Sequence, residues 1–251
     1  MMVCEVELHK TPKLRKPVLI EGLPGIGFVA NIAALHLIQE LKAKLFAKIY
    51  SSSFQDFAIT SEKGKARSPI NELYYYKGKN AEHDLIILYG NTQALTTFGQ
   101  YELCGRILDI AEQHKCDYII TLGGLRKEEI KTPPELYCAA TDAETLNKAL
   151  SLGAKILGGQ IFGVAGLLIG LSKLRGIPGF CLLAETQGYY PDANAAREVL
   201  KATSKLLGIQ IDLSRLDTAA ETTRSILESF GLLETPFEEK RKQESQFRWI
   251  V

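Results

Sequence analysis

The sequence predicts an α/β domain in which helices cover both faces of a mixed sheet. Three observations carry this. Continuous apolar runs of strand length recur at Val18–Ile20, Leu85–Tyr89, Tyr118–Leu122 and Phe180–Ala184, the mark of strands covered on both faces. Longer segments with three-four apolar spacing alternate with them. Between Phe54 and Tyr76 the pattern instead suggests a hairpin, so the sheet is expected to mix parallel and antiparallel strands.

Taken in order, Pro17–Glu21 reads as a short apolar strand that enters the loop Gly22-Leu23-Pro24-Gly25-Ile26-Gly27. Phe28–Lys44 follows as an amphipathic helix with Val29, Ile32, Ala33, Leu37 and Leu41 on its core-facing stripe. Leu45–Ser51 fits a second strand. Phe54–Thr60 and Glu72–Tyr76 look like two hairpin arms, joined by a polar stretch through Gly64. The run Asp84–Tyr89 is a buried strand, Phe98–His114 a helix, and Asp117–Leu122 a strand that stops at Gly123-Gly124. Leu136–Ala140 is a weaker strand and Ala143–Ser151 a short helix. Gly179–Ala184 is another buried strand. Asp192 is placed to cap a helix running to Leu207, and a last helix spans about Leu216 to Phe230.

No repeat or linker interrupts residues 1–234, which are expected to form one domain. From Thr235 the composition shifts to a charged stretch, Glu238 to Gln246, closed by Phe247-Arg248-Trp249-Ile250-Val251. Residues 235–251 are read as a solvated tail with a hydrophobic terminus. It holds the only tryptophan of the chain.

Composition narrows the function. The 251 residues carry 30 Lys+Arg against 29 Asp+Glu, a formal net charge of +1. A dedicated nucleic-acid binder would show a basic excess, so no nucleic-acid partner is expected. The five cysteines, Cys4, Cys104, Cys116, Cys138 and Cys181, are odd in number and widely spaced, without a C-x-x-C pair. They read as reduced structural thiols of a cytoplasmic protein. The N-terminal residues lack the apolar core of a signal peptide. Ile156–Leu171 is uncharged over sixteen residues, yet it contains Gln160 and five glycines between Lys155 and Lys173. A spanning helix needs about twenty apolar residues. A buried, glycine-lined helix or loop-helix is expected, not a membrane segment; Gly159, Gly163 and Gly166 also leave open a subunit contact.

The chemistry is sparse. The Gly22–Gly27 loop stands between strand and helix, where backbone N–H groups can hold an anion. It is neither G-x-G-x-x-G nor a P-loop. Either it is a tight turn that lets the helix pack on the sheet, or Gly22, Pro24, Gly25 and Gly27 form a ligand nest. No G-x-S-x-G elbow occurs. His9, His36, His83 and His114 are scattered, and His36 and His114 suit solvated or capping roles. Glu185 follows a buried strand, near the place where open α/β sheets bind ligands. It is read either as a base beside Asp192 or as an acceptor for neighbouring loop amides.

Several motifs then occur in order: Gly22-x-Pro24-Gly25-x-Gly27, Gly123-Gly124, Phe162-Gly163, Gly166-Leu167-Leu168, and Glu185-Thr186-x-Gly188-x-Tyr190-Pro191-Asp192-x-x-Ala195-Ala196. From about Pro17 to Gly231 the chain resembles the PAC-type proteasome assembly chaperone family, its archaeal members in particular. The resemblance implies a three-layer α/β/α domain related to the purine nucleoside phosphorylase-like fold. It also implies a homo-oligomer without a cofactor or catalytic activity, and proteasome α-subunits as partners. Family members dock a C-terminal tail ending in hydrophobic-Tyr-any; here Trp249-Ile250-Val251 keeps the hydrophobic residue and replaces the tyrosine. Phe247, Trp249, Ile250 and Val251 are therefore the expected partner-binding residues. The alternative is a nucleoside phosphorylase-like enzyme or small-molecule binder using the Gly22–Gly27 loop and Glu185.

Overall fold

A computed structural model describes residues 4–60, 63–78 and 82–229. Four parallel strands form the centre of a nine-stranded mixed sheet: β2 (Val18–Gly22), β7 (Leu85–Gly90), β8 (Tyr118–Arg126) and β11 (Gly179–Thr186). In space they run β7-β2-β8-β11. Every residue of β2 and β11 is buried, as continuous apolar runs require when helices cover both faces.

Antiparallel strands extend this centre on one side: β6 (Asn71–Tyr76) pairs with β7, β3 (Lys44–Ser51) with β6, and β1 (Cys4–Leu8) with β3. On the other side β9 (Leu136–Ala140) runs antiparallel to β11, and the two-residue β10 (Lys155–Ile156) closes the edge. The expected Phe54–Tyr76 hairpin is not formed as one unit. The small strands β4 (Ile59–Thr60) and β5 (Ala66–Arg67) pair with each other, whereas β6 leaves them to join β3 and β7. The apolar face of Leu73 finds more to bury against in the main sheet than in a local ribbon. Strand β1 was not expected. Its alternation from Cys4 to Leu8 buries only Cys4 fully, as suits an edge strand.

Six helices cover the sheet among the described residues. One face carries α1 (Val29–Glu40), α3 (Ala143–Ser151), α5 (Ala193–Leu207) and α6 (Leu216–Ser229), which pack on Val18, Ile20, Ile87, Ile120 and Phe180. The other carries α2 (Thr97–Gln113) and α4 (Gly163–Leu174), against Leu19, Ile86, Ile119 and Cys181. The three-layer α/β/α arrangement is thus present. Helix starts are capped as the sequence suggests: Asp192 Oδ1 accepts from Ala195 N at 2.9 Å, and Asp142 does the same for α3.

Three expectations need correction. Helix α1 stops at Glu40, four residues short, because the chain turns through Lys42 at φ 50° to enter β3. It is also more than amphipathic: Asn31 is buried against the ends of β2 and β7, where its Nδ2 donates to the Gly90 carbonyl at 2.7 Å, and α5 and α6 cover the outer side and bury His36. His36 is therefore not solvated; its Nε2 meets the Asp212 carbonyl at 2.7 Å. Finally, the glycine-rich segment is a loop followed by α4, and the loop is not buried. Gly158, Gly159, Gln160 and Phe162 are exposed.

All five thiols are unpaired, and four of them are buried. Burial pushes Cys4 up to about 11 and Cys104 and Cys181 to about 12, so they pack as neutral groups. Among the described residues no helix is long and apolar enough to cross a membrane.

Candidate functional site

The carboxyl ends of β2, β7 and β8 meet where the chain, having followed β2 with α1 on one face, follows β7 with α2 on the other. Open α/β sheets place ligand crevices at such a reversal. A cavity of about 410 Å³ opens here, between the Gly22–Gly27 loop, the end of β8 and the start of α4. Leu23, Ile26, Phe162 and Leu183 give it a mostly apolar wall.

Glu21 lines this cavity and is 1% exposed. Its Oε1 accepts from Leu23 N at 2.8 Å, while Oε2 has no hydrogen-bond partner among the described residues. Loss of hydration on burial outweighs that single backbone hydrogen bond and pushes the carboxyl up to about 8. At neutral pH Glu21 is therefore mostly a protonated acid. Above it, Gln93 bridges the two walls: its Nε2 donates to the Pro24 carbonyl, and its Oε1 accepts from Val164 N at 3.0 Å. Thr121 Oγ1 donates to the Ala165 carbonyl at 2.9 Å and holds α4 to β8.

The loop residues singled out in the sequence fall into different roles. Gly22 is a packing position: a Cβ there would lie 2.2 Å from the Ala34 Cβ and 2.8 Å from the Ala30 carbonyl oxygen, so glycine lets α1 sit on β2. Gly27 combines φ 61° with a site where a Cβ would meet Thr186 Oγ1 at 2.7 Å. Pro24 is held by Gln93. Gly25 alone of the four opens onto the cavity, with nothing within 4 Å of its Cβ position. Gly22 and Gly27 thus serve close packing, while Gly25 faces the cavity.

Glu185 lies outside the cavity. It is 3% exposed, and its Oε2 accepts from Lys131 N and Glu135 N, both at 3.3 Å, while Oε1 accepts from the Tyr137 hydroxyl at 3.1 Å. Asp192 is equally occupied: Thr186 Oγ1 donates to its Oδ2 at 2.7 Å, and its own N–H donates to the Gly27 carbonyl at 2.9 Å. Both carboxylates are thus committed to partners within the chain, Glu185 to two loop amides and a hydroxyl. Beside it, Lys131 and Lys155 both reach Glu135 at 2.7 Å and pull that carboxyl down to about 2. Among the described residues no group of three metal-ligating side chains gathers.

A second feature lies on the outer side of α2 and α4, which run alongside each other in the same direction. Phe98, Tyr101 and Leu174 are all more than half exposed there, and Tyr101 and Leu174 line one groove between the helices. Arg175 closes its far end, with Nη1 2.7 Å from Asp109. The partner-binding residues expected in the tail, Phe247, Trp249, Ile250 and Val251, lie outside the described residues.

Residues 19–230 match the PAC2 family. The chain belongs to the PAC2 family. Among PAC2-like structures, it is similar to PbaB of Pyrococcus furiosus, an archaeal proteasome activator. Identity is 40%, the match covers 92% of this chain and 100% of that one, and the TM-score is 0.82. PbaA of the same organism, an archaeal homolog of proteasome-assembly chaperone, is 28% identical over 95% of this chain and 99% of its own, with a TM-score of 0.74. The uncharacterized protein MJ1210 of Methanocaldococcus jannaschii is 34% identical over 223 residues, covering 88% of this chain and 85% of that protein.

Proposed function

We propose that this PAC2 protein is a non-enzymatic, cofactor-free proteasome-binding protein, an assembly chaperone or activator that engages 20S proteasome α-subunits. The observation that carries this reading is the 40% identity, across 92% of the chain, to an archaeal proteasome activator. The carboxylates of Glu185 and Asp192 agree with it, since both are already held by partners within the chain. Unpaired thiols suit a reducing cytoplasm.

Residues 1–234 act as the folded body and residues 235–251 as the tether and anchor. Burying Trp249 removes roughly 200 Å² from water, worth about 5 kcal/mol at about 25 cal/mol per Å² before ordering costs are subtracted. Ile250 lacks the hydroxyl of the tyrosine it replaces, so the anchor depends on apolar burial. The protein works as a homo-oligomer in which a second copy covers the α2–α4 face, where Phe98, Tyr101 and Leu174 stand exposed. Several tails on one assembly then bind a ring of α-subunits with an avidity that no single tail reaches.

Purified α-subunits passed over the immobilised full chain test the anchor. Retention is expected, with a drop of at least tenfold on deletion of Trp249-Ile250-Val251. Equal retention by the shortened chain rejects the anchor.

A further inference from the structure

We propose that the cavity at the carboxyl ends of β2 and β8 binds a compact ligand with an apolar body and one basic nitrogen, seated against Glu21. This site is independent of proteasome binding. It stands on a cavity of about 410 Å³, within the size range of small-molecule pockets, at the sheet's topological reversal. It also stands on a buried carboxyl whose second oxygen has no partner among the described residues.

The chemistry of the floor selects the ligand. Oε1 is committed to Leu23 N, so Oε2, buried at the cavity floor, is the acceptor still without a partner. A buried polar group without a partner is costly, and a charge-assisted hydrogen bond is the strongest available remedy. The titratable groups around Glu21 do not supply one. Cys104 from α2 and Cys181 from β11 are thiols held neutral by burial. Arg126 of β8 lines the cavity as an exposed side chain, and no cation figures among the influences on the Glu21 carboxyl. An ammonium guest and an ionised Glu21 form a pair with no net charge, which an apolar cavity accepts. An anionic guest such as a carboxylate brings no N–H to donate to Oε2. In binding, the protonated amine enters, Glu21 releases its proton to solvent, and an N–H of the guest donates to Oε2.

The test uses four probes built on one phenyl ring: benzylamine, benzyl alcohol, benzoate and benzyltrimethylammonium. Each is titrated into the full chain, ¹⁵N-labelled at leucine and glycine. Benzylamine is expected to shift the amides of Leu23, Gly25, Gly123 and Gly124 saturably, at least tenfold more tightly than benzyl alcohol. Benzoate and the N–H-free trimethylammonium are expected to bind no better than the alcohol. Because binding releases one proton, benzylamine should tighten by close to ~10-fold per pH unit between pH 6 and 7. In Glu21→Gln the amine and the alcohol should bind alike. Should that variant fail to fold, the pH dependence of the unaltered chain decides. Equal binding of amine and alcohol, absence of saturable shifts at these amides, a pH-independent affinity, or an amine preference that survives in Glu21→Gln would each overturn the site.

Discussion

Replacing Glu21 by glutamine changes one atom at the cavity floor and removes a titration. In the folded chain burial holds the Glu21 proton up to about pH 8, whereas an unperturbed glutamate releases it near 4.5. Between those values the folded state binds more protons than the unfolded one, so stability falls as pH rises from about 4.5 to about 8 and is level above that. The difference of about 3.5 in pKa, at 1.36 kcal/mol per unit, puts the loss on the order of 5 kcal/mol. Glutamine keeps an acceptor for Leu23 N and stays neutral throughout. Urea denaturation of both proteins from pH 4.5 to 8.5 isolates the effect, since every other titrating group is shared. The variant should match the parent at the acid end and exceed it by several kcal/mol at pH 8.5. Parallel profiles, separated by a constant offset, would refute the assignment of a proton to this carboxyl.

Other positions yield separate outcomes. Gly22→Ala places a methyl 2.2 Å from the Ala34 Cβ and should cost about 1–3 kcal/mol by calorimetry; an unchanged melting temperature would mean that α1 does not sit as closely on β2. Glu185→Ala leaves Lys131 N and Glu135 N without their acceptor, while the Tyr137 hydroxyl keeps Glu135 Oε2. It should lower stability by about 1–3 kcal/mol, with α-subunit binding intact; loss of binding without loss of stability would put Glu185 in the partner surface. Phe98→Glu together with Leu174→Glu charges the exposed α2–α4 face. Sedimentation should then report smaller species than the parent forms, and an unaltered distribution would move the self-contact elsewhere.

Much of the fold was legible because β2, β7, β8 and β11 are uninterrupted apolar runs, and only strands covered on both faces read that way. The pairing of β6 was not legible, since its partners β3 and β7 are chosen by the whole sheet and not by the nearest turn. Edge strand β1 hid for a related reason: with one face exposed, Glu5 and Glu7 made it look like solvated chain. The burial of His36 depends on α5 and α6 covering α1, an arrangement that helical spacing does not encode. At the site, position alone left two readings open for the Gly22–Gly27 loop and for Glu185, because the packing of Ala34 on Gly22 and the amides that reach Glu185 come from other segments. Glu21 was passed over as the end of a strand. A carboxylate at the end of an otherwise apolar run was the available signal, because such a residue is seldom fully buried without a partner.

Trp249 is the only tryptophan of the chain, so 5-fluorotryptophan places a single ¹⁹F reporter in the proposed anchor. The decisive measurement is its spectrum before and after addition of unlabelled α-subunits. A shifted, broadened resonance that titrates to saturation, and that excess unlabelled full-length chain restores, is the expected result. A resonance unmoved by saturating α-subunits would contradict the claim that this protein reaches the proteasome through its C-terminal segment.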